Sequence, residues 1–201
     1  MGVFMRVDRG VRLPAGLLLL GLVFLTGCQT QVVSTRLLTR HQRTIDHDGM
    51  LPVQPDEAIH VTWAIPEKWQ ALPTSKTFLY THQQYRAPSC NAGVGVAYMH
   101  TPIPLSADML IWIAKNEYTK REAGAKQAGR LIDEWTDNLG RHWFEAENPR
   151  YHVKGYAITH GTDAWIVYSG YRMKSKVTPQ EIQRAQTAAD SVVPMTGPDA
   201  R

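Results

Sequence analysis

From Ala58 onward the chain alternates apolar and polar positions in short runs. Ile59-His60-Val61-Thr62-Trp63-Ala64-Ile65 has the period of two expected of a half-buried strand. Pro66 ends that run, and Trp69 is placed to fold back over the end of a sheet. Thr77–Tyr85 and Gly93–His100 predict two more strands, separated by the turn-rich loop Arg86-Ala87-Pro88-Ser89-Cys90-Asn91. Pro102 and Pro104 then break the pattern. Alternation returns in Arg130–Asp137 and Arg141–Glu147, on either side of the turn Asn138-Leu139-Gly140, and Asn148-Pro149 closes the pair. Tyr151–Thr159 and Ala164–Met173 flank His160-Gly161-Thr162-Asp163, which predicts a hairpin with Gly161 free to take a positive φ.

Two segments have helical spacing instead. Ser106 offers an N-cap with Asp108 in the first turn. Ala107, Leu110, Ile111, Ala114 and Tyr118 form the apolar stripe, and Gly124 stands where a C-cap belongs. Met109, Trp112 and Ile113 widen the stripe, which predicts a well-covered helix with Trp112 packed into the core. The alternative is an exposed Trp112 that grips a partner. The second helix opens on Thr178-Pro179-Gln180-Glu181, a capping box with proline at the first helical position. Ile182, Ala185, Ala189 and Val192 give it a narrow apolar face, and Pro194 stops it.

The amino terminus follows a different pattern. An apolar run from Leu13 to Leu25 lies behind Arg6, Arg9 and Arg12, opposed only by Asp8. It is short for a spanning helix of about 20 residues, and Pro14 and Gly16 weaken it further as a permanent anchor. A charged start, a short apolar core and a small residue before a cleavage point make an export signal. Leu25-Thr26-Gly27-Cys28 resembles the bacterial lipobox. That resemblance implies cleavage before Cys28, a diacylglycerol thioether on its sulfur, and acylation of the new amino group. Two or more acyl chains suffice for stable membrane anchoring. Gln29 stands where the inner-membrane retention rule wants Asp, so in a diderm bacterium the expected location is the outer membrane, facing the periplasm.

The expected organisation is therefore a signal peptide at 1–27, a tether at 28–57, one domain at 58–194 and a loose tail at 195–201. The tether carries Arg36, Arg40 and Arg43, read as solvated, and it leaves through Leu51-Pro52-Val53-Gln54-Pro55. His41, His47, Asp46 and Asp48 superficially suggest a metal, but nothing in a linker fixes their geometry. The signal carries two of the chain's formal net +4 charges, so the mature part retains about +2. That is too little to suggest nucleic acid as a partner, which calls for a clustered basic face.

Three strands, a helix, four strands and a C-terminal helix, joined mostly by short turns, define an α+β class with a largely antiparallel sheet of about seven strands. The early strand running into Pro66-Glu67-Lys68-Trp69, the mid-chain helix, and the late hairpin followed by a capped helix ending in Ser191-Val192-Val193 resemble the PsbP-like fold. This is an α/β/α sandwich of photosystem extrinsic subunits and bacterial envelope lipoproteins. The resemblance covers roughly residues 58–194. It implies binding or assembly roles without catalysis, and it transfers no site residues.

The chemistry-bearing residues agree with a protein that is not an enzyme and needs no cofactor or metal. No Gly-x-Ser-x-Gly elbow, phosphate loop or His-Glu-x-x-His motif occurs. A nucleophile needs a base within hydrogen-bond reach, and the pairs to consider are Cys90 with His82 or His100. With Cys28 committed to lipid, Cys90 is expected to be a buried, inert thiol without an intramolecular partner. An intermolecular disulfide or a reactive thiol are the alternatives. Asp133, Glu134, Asp137, Glu145 and Glu147 fall on alternating strands and read as solvated faces.

Binding has a better surface. Trp135, Trp143, Tyr151, Tyr156, Trp165, Tyr168 and Tyr171 exceed what one sheet face hides comfortably. Residues two apart in a strand share a face, so His152, Lys154 and Tyr156 lie together. If no helix covers them, they are a contact patch for an envelope protein or a small hydrophobic ligand. The membrane itself is the other partner, through the lipid on Cys28.

Overall fold

The computed structural model describes residues 49–119 and 128–195. The signal peptide, Cys28, the tether's arginines and histidines, Gly124 and most of the tail lie outside them. The elements in chain order are β1 (Gln54–Asp56), β2 (Val61–Trp63), β3 (Gln70–Ala71), β4 (Ser75–Lys76), β5 (Thr81–Arg86), β6 (Ala92–His100) and α1 (Ala107–Thr119). They continue with β7 (Arg130–Thr136), β8 (His142–Glu147), β9 (Tyr151–His160), β10 (Asp163–Arg172), α2 (Pro179–Asp190) and β11 (Val193–Pro194).

The main sheet runs β3-β5-β6-β10-β9-β8-β7, with β4 also paired to β5, and each of these pairings is antiparallel. This is the expected α+β class. The run around Val61 does not join that sheet. It is the centre of a separate three-stranded sheet, β1-β2-β11. That pairing draws Gly49–Asp56 into the fold, ahead of the expected start at Ala58. Met50 bridges Pro66, and the Leu51 N–H donates to the Ile65 carbonyl at 2.7 Å.

Alternation gives the main sheet two apolar faces. On one, α1 packs against β8 and β9, burying Leu110, Ile111, Ala114 and Tyr118 against Phe144, Ala146, Val153, Ala157, Ile166 and Tyr168. Ion pairs hold the helix to the sheet edge. Lys115 Nζ meets Glu134 Oε2 at 2.7 Å, and His142 bridges Asp108 at 2.7 Å and Glu134 at 3.0 Å. Ser106 caps α1 as expected, its hydroxyl accepting the Met109 N–H at 3.2 Å.

The opposite face is shared between α2 and the small sheet. Val94, Val96, Trp165 and Val167 pack under Ala185, Ala188, Ala189 and Val192, with Ile59, Val61 and Trp63 completing the cluster. Trp69 is buried in the same cluster. The capping box of α2 is complete: Glu181 N–H donates to Thr178 Oγ1 at 3.2 Å, and Thr178 N–H donates to Glu181 Oε2 at 3.0 Å. Ser191 ties the end of α2 to the small sheet by accepting the Ala64 N–H at 2.8 Å.

One packing expectation is overturned. Trp112 is 59% exposed and Met109 50%, because the side of α1 turned to the sheet is the one that carries Leu110, Ile111, Ala114 and Tyr118. Of the wider stripe, Met109 and Trp112 point to solvent and Ile113 is half-buried.

Candidate functional site

The position of α2 decides what the second face can do. The helix lies mainly on β10 and β6, so the β7–β9 half of that face has α2 only as a wall. Side chains there stand in cross-strand rows. Trp143, Tyr156 and Val167 form one row, Glu145, Lys154 and Ser169 the next, and Glu147, His152 and Tyr171 the third.

The first row is closed. Tyr156 is fully buried, and its hydroxyl donates to the Ala189 carbonyl of α2 at 2.7 Å. Burial pushes its phenol up. The Trp143 ring lies 4.4 Å from the Tyr156 ring and stacks on Trp135 at 5.7 Å, within 3° of parallel. Arg141 covers both from above, 5.1 Å from Trp143 and 4.7 Å from Tyr156. Asp137 fixes this cap, its Oδ2 accepting from Arg141 Nε at 2.6 Å and from Trp143 Nε1 at 2.8 Å. Tyr156 is thus a packing residue and not part of an open contact patch.

The next two rows stay open to a cavity of about 120 Å³ between sheet and helix. Its walls are Glu145, His152, Lys154, Ser169, Gly170 and Tyr171 of the sheet and Ile182, Ala185 and Gln186 of α2. His152 Nε2 meets Glu145 Oε1 at 2.8 Å, and its ring stacks on Tyr171 at 4.9 Å. Lys154 stands directly opposite Glu145 in the register, yet its ammonium lies over Trp135 at 5.0 Å and Trp143 at 5.2 Å. Burial raises the Tyr171 phenol, and Glu145 and Glu147 add to the effect. Asp190, at the end of α2, is also raised by burial, against the pull of Arg141 and Lys154.

Of the expected patch, His152 and Lys154 share this cleft and Tyr156 supports it from below. Ser169 and Gln186 were not anticipated. The signal for Ser169 was present, because it is the one small polar side chain inside the apolar strand Ala-Trp-Ile-Val-Tyr-Ser-Gly-Tyr. Gln186 carried none, since its place depends on where α2 lands.

The pairings considered for a nucleophile are not assembled. His82 is buried on the α1 side, hydrogen-bonded to the Tyr168 hydroxyl. His100 ends β6 and pairs with Asp163 at 2.8 Å, whereas Cys90 lies in the turn before β6 begins. Nine residues of strand separate that turn from His100, on the order of 30 Å at about 3.4 Å per residue. Cys90 itself corrects the expected buried thiol. It is only partly buried, has φ 60°, and is disulfide-bonded. The chain's other cysteine is Cys28. The carboxylates expected to face solvent are mostly engaged, Glu147 for example with Arg130 at 2.6 Å.

An antiparallel sheet between α1 on one face and α2 with a small sheet on the other is a PsbP-like fold. A solved structure similar to this chain is that of cyanobacterial PsbP (CyanoP) from Synechocystis sp. PCC 6803. The TM-score is 0.50 at 13% identity, over 77% of this chain and 98% of that one. No protein-family model matches the chain. No curated protein matches it either.

Proposed function

We propose that the chain is a non-catalytic envelope lipoprotein, tethered through Cys28, whose folded domain binds a partner or ligand at the cleft between β9 and α2. The observation that carries this reading is the cleft itself, where Glu145, His152, Lys154 and Ser169 of the sheet face Ile182, Ala185 and Gln186 of α2. The lipobox resemblance supplies the anchor, and the fold is one of binding and assembly modules by resemblance. The test places a photo-crosslinking amino acid at Gln186 in intact cells, with Glu57 on the domain surface as the control position. A reproducible envelope adduct at Gln186 alone supports the reading; adducts at neither position, or equally at both, count against it.

The Cys90 disulfide favours a second reading, a domain secreted without a lipid. A single sulfur cannot carry both a thioether and a disulfide, so a Cys28–Cys90 bond excludes the anchor. Detergent-phase partitioning and intact mass separate the two. A lipidated chain enters the detergent phase, and Cys28→Ser abolishes that; an unlipidated chain stays aqueous and loses two mass units by oxidation, roughly 2 Da.

A further inference from the structure

Single exposed apolar side chains are ordinary on a protein surface; their collection at one end of a domain is not. Thr81 pairs with Tyr98, and Asp163 pairs with both His100 and His160. The β4–β5 turn, the loop leaving β6 and the β9–β10 turn therefore share one end of the main sheet. The β7–β8 turn extends toward the same end, beyond the pair Thr136 and His142. α1 also starts there, with Asp108 2.7 Å from His142, and runs toward Gly129 and Glu147 at the other end.

The four most exposed large apolar side chains of the described residues all stand at this end. They are Phe78 (89%) in the β4–β5 turn, Leu139 in the β7–β8 turn, Ile103 in the loop after β6, and Trp112 on α1. Two of the tips are fixed by their own bonds. Thr77 Oγ1 accepts the Leu79 and Tyr80 N–H groups, and Thr101 Oγ1 donates to the Ile103 carbonyl at 2.6 Å. The carboxylates here are engaged: Asp108 by His142, Asp163 by His100 and Tyr98, Asp137 by Arg141 and Trp143. The described turns at the opposite end expose Ser89, Arg150, Lys174 and Lys176 instead, and no large apolar side chain.

We propose that this end of the domain rests in the interface of a phospholipid bilayer. Phe78, Ile103 and Leu139 enter the boundary between headgroups and acyl chains, and Trp112 lies at headgroup level, where indoles are favoured. The apolar groups stand on separate protrusions spread from β5 to β8, on the order of 20 Å at about 4.8 Å per strand. A fluid boundary accepts apolar groups at any spacing, whereas a protein partner buries a contiguous core. The chain outside the described residues allows the contact. Cys28 lies 49 − 28 = 21 residues before Gly49, a reach of up to about 70 Å when extended. An anchor on that tether makes the contact intramolecular, so a few apolar side chains suffice. This inference rests on the anchor proposed at Cys28. In this orientation Tyr171 of the cleft, at the other end of β10 from Asp163, is held roughly 25 Å clear of the lipid.

The experiment places the mature chain, as isolated from cells, in vesicles of phosphatidylethanolamine and phosphatidylglycerol that carry a nitroxide-labelled lipid. A fluorescent amino acid replaces Phe78 in one chain and Lys176, at the opposite end, in another. Flotation with the vesicles reads the anchor, and nitroxide quenching reads which end meets the lipid. The expected result is a chain that floats, with quenching at the Phe78 position at least about threefold stronger than at the Lys176 position. Ile103→Glu combined with Leu139→Glu is expected to bring the Phe78 position down to the Lys176 level. Both changes fall at exposed positions, and near-UV circular dichroism verifies that the variant folds. Equal quenching at the two positions, or quenching at the Phe78 position unmoved by the two glutamates, would overturn the inference and leave the anchor standing. A chain that does not float removes the anchor and this inference with it. Photo-crosslinking from the Phe78 position in intact cells is expected to give lipid adducts; a reproducible protein adduct in their place would make this end a protein interface and overturn the proposal.

Discussion

The hydroxyl of Tyr168 on β10 crosses the backbone of Gly95 on β6 to reach His82 Nε2 on β5. Three strands are joined by one side-chain bond beneath α1. Burial pushes His82 down to about 4, so the ring that meets the Tyr168 hydroxyl is neutral near pH 7.

That displacement makes stability depend on pH. The unfolded chain takes a proton on His82 below about 6.5, while the folded chain resists it until about 4. The contribution is fully present above pH 6.5 and is lost as pH falls from there through 4. The linkage is worth roughly 3 kcal/mol. Urea unfolding between pH 4 and 8 is expected to show this slope. His82→Gln is expected to flatten it, and an unchanged slope in that variant would remove His82 as its origin.

Gly95 is required by the same bond. A Cβ there would lie 2.5 Å from the Tyr168 hydroxyl oxygen and 2.6 Å from Cζ, and the ring is held at both ends. Gly95→Ala is expected to cost about 2–3 kcal/mol through overpacking. Combining it with Tyr168→Leu, which vacates that space, is expected to cost less than the two single changes together. Thermal unfolding of the four proteins measures the coupling.

Asp137 is held below the range of an ordinary surface carboxylate. Burial would raise its pKa, but hydrogen bonds from Trp143, from the Arg141 backbone and side chain, and from Leu139 bring it down to about 2. Its contribution is present above about pH 4 and is lost as pH falls through 2. Asp137→Asn keeps the shape and loses the charge-assisted bonds to Arg141 and Trp143, at about 1–2 kcal/mol. Trp143 fluorescence is expected to shift in the folded variant as the indole loses its acceptor.

These contacts mark how far the sequence could be read. Period-two alternation located β5, β6 and β8 to β10, each of which buries residues on the sheet, and also β7, where only Glu134 and Trp135 are half-buried. The Thr178-Pro179-Gln180-Glu181 box located the start of α2, since its bonds are local. Strands of two or three residues, such as β3, β4 and β11, have no period to detect. Trp112 was misplaced because stripe width says nothing about how much sheet lies beneath a helix. The shared face of His152, Lys154 and Tyr156 was legible from spacing. Which of them stays open depends on α2 lying over β6 and β10, a choice made by long-range packing of small alanines.

Trp112 offers a direct check of that correction. A tryptophan 59% exposed on the outer side of α1 contributes little to the fold. Trp112→Glu is expected to change stability by less than about 1 kcal/mol. Leu110→Ala, two positions away and fully buried, is expected to cost about 3 kcal/mol. Comparable losses at the two positions would place Trp112 in the core after all.

Tyr156 separates support from contact. Its hydroxyl donates to the Ala189 carbonyl at 2.7 Å, and that carbonyl also accepts the Val192 N–H at 3.2 Å. Removing the hydroxyl therefore leaves no orphaned acceptor. Tyr156→Phe is expected to cost about 1 kcal/mol, the net worth of one hydrogen bond, and not the larger penalty of an unpaired buried group. The ring keeps its place against Trp143 at 4.4 Å, so the cleft wall stays where it is. Crosslinking from Gln186 is accordingly expected to match the unaltered chain once the variant is folded. A variant with unchanged stability and lost crosslinking would instead make Tyr156 a contact residue, because a supporting residue cannot lose its bond to α2 without a cost in unfolding free energy.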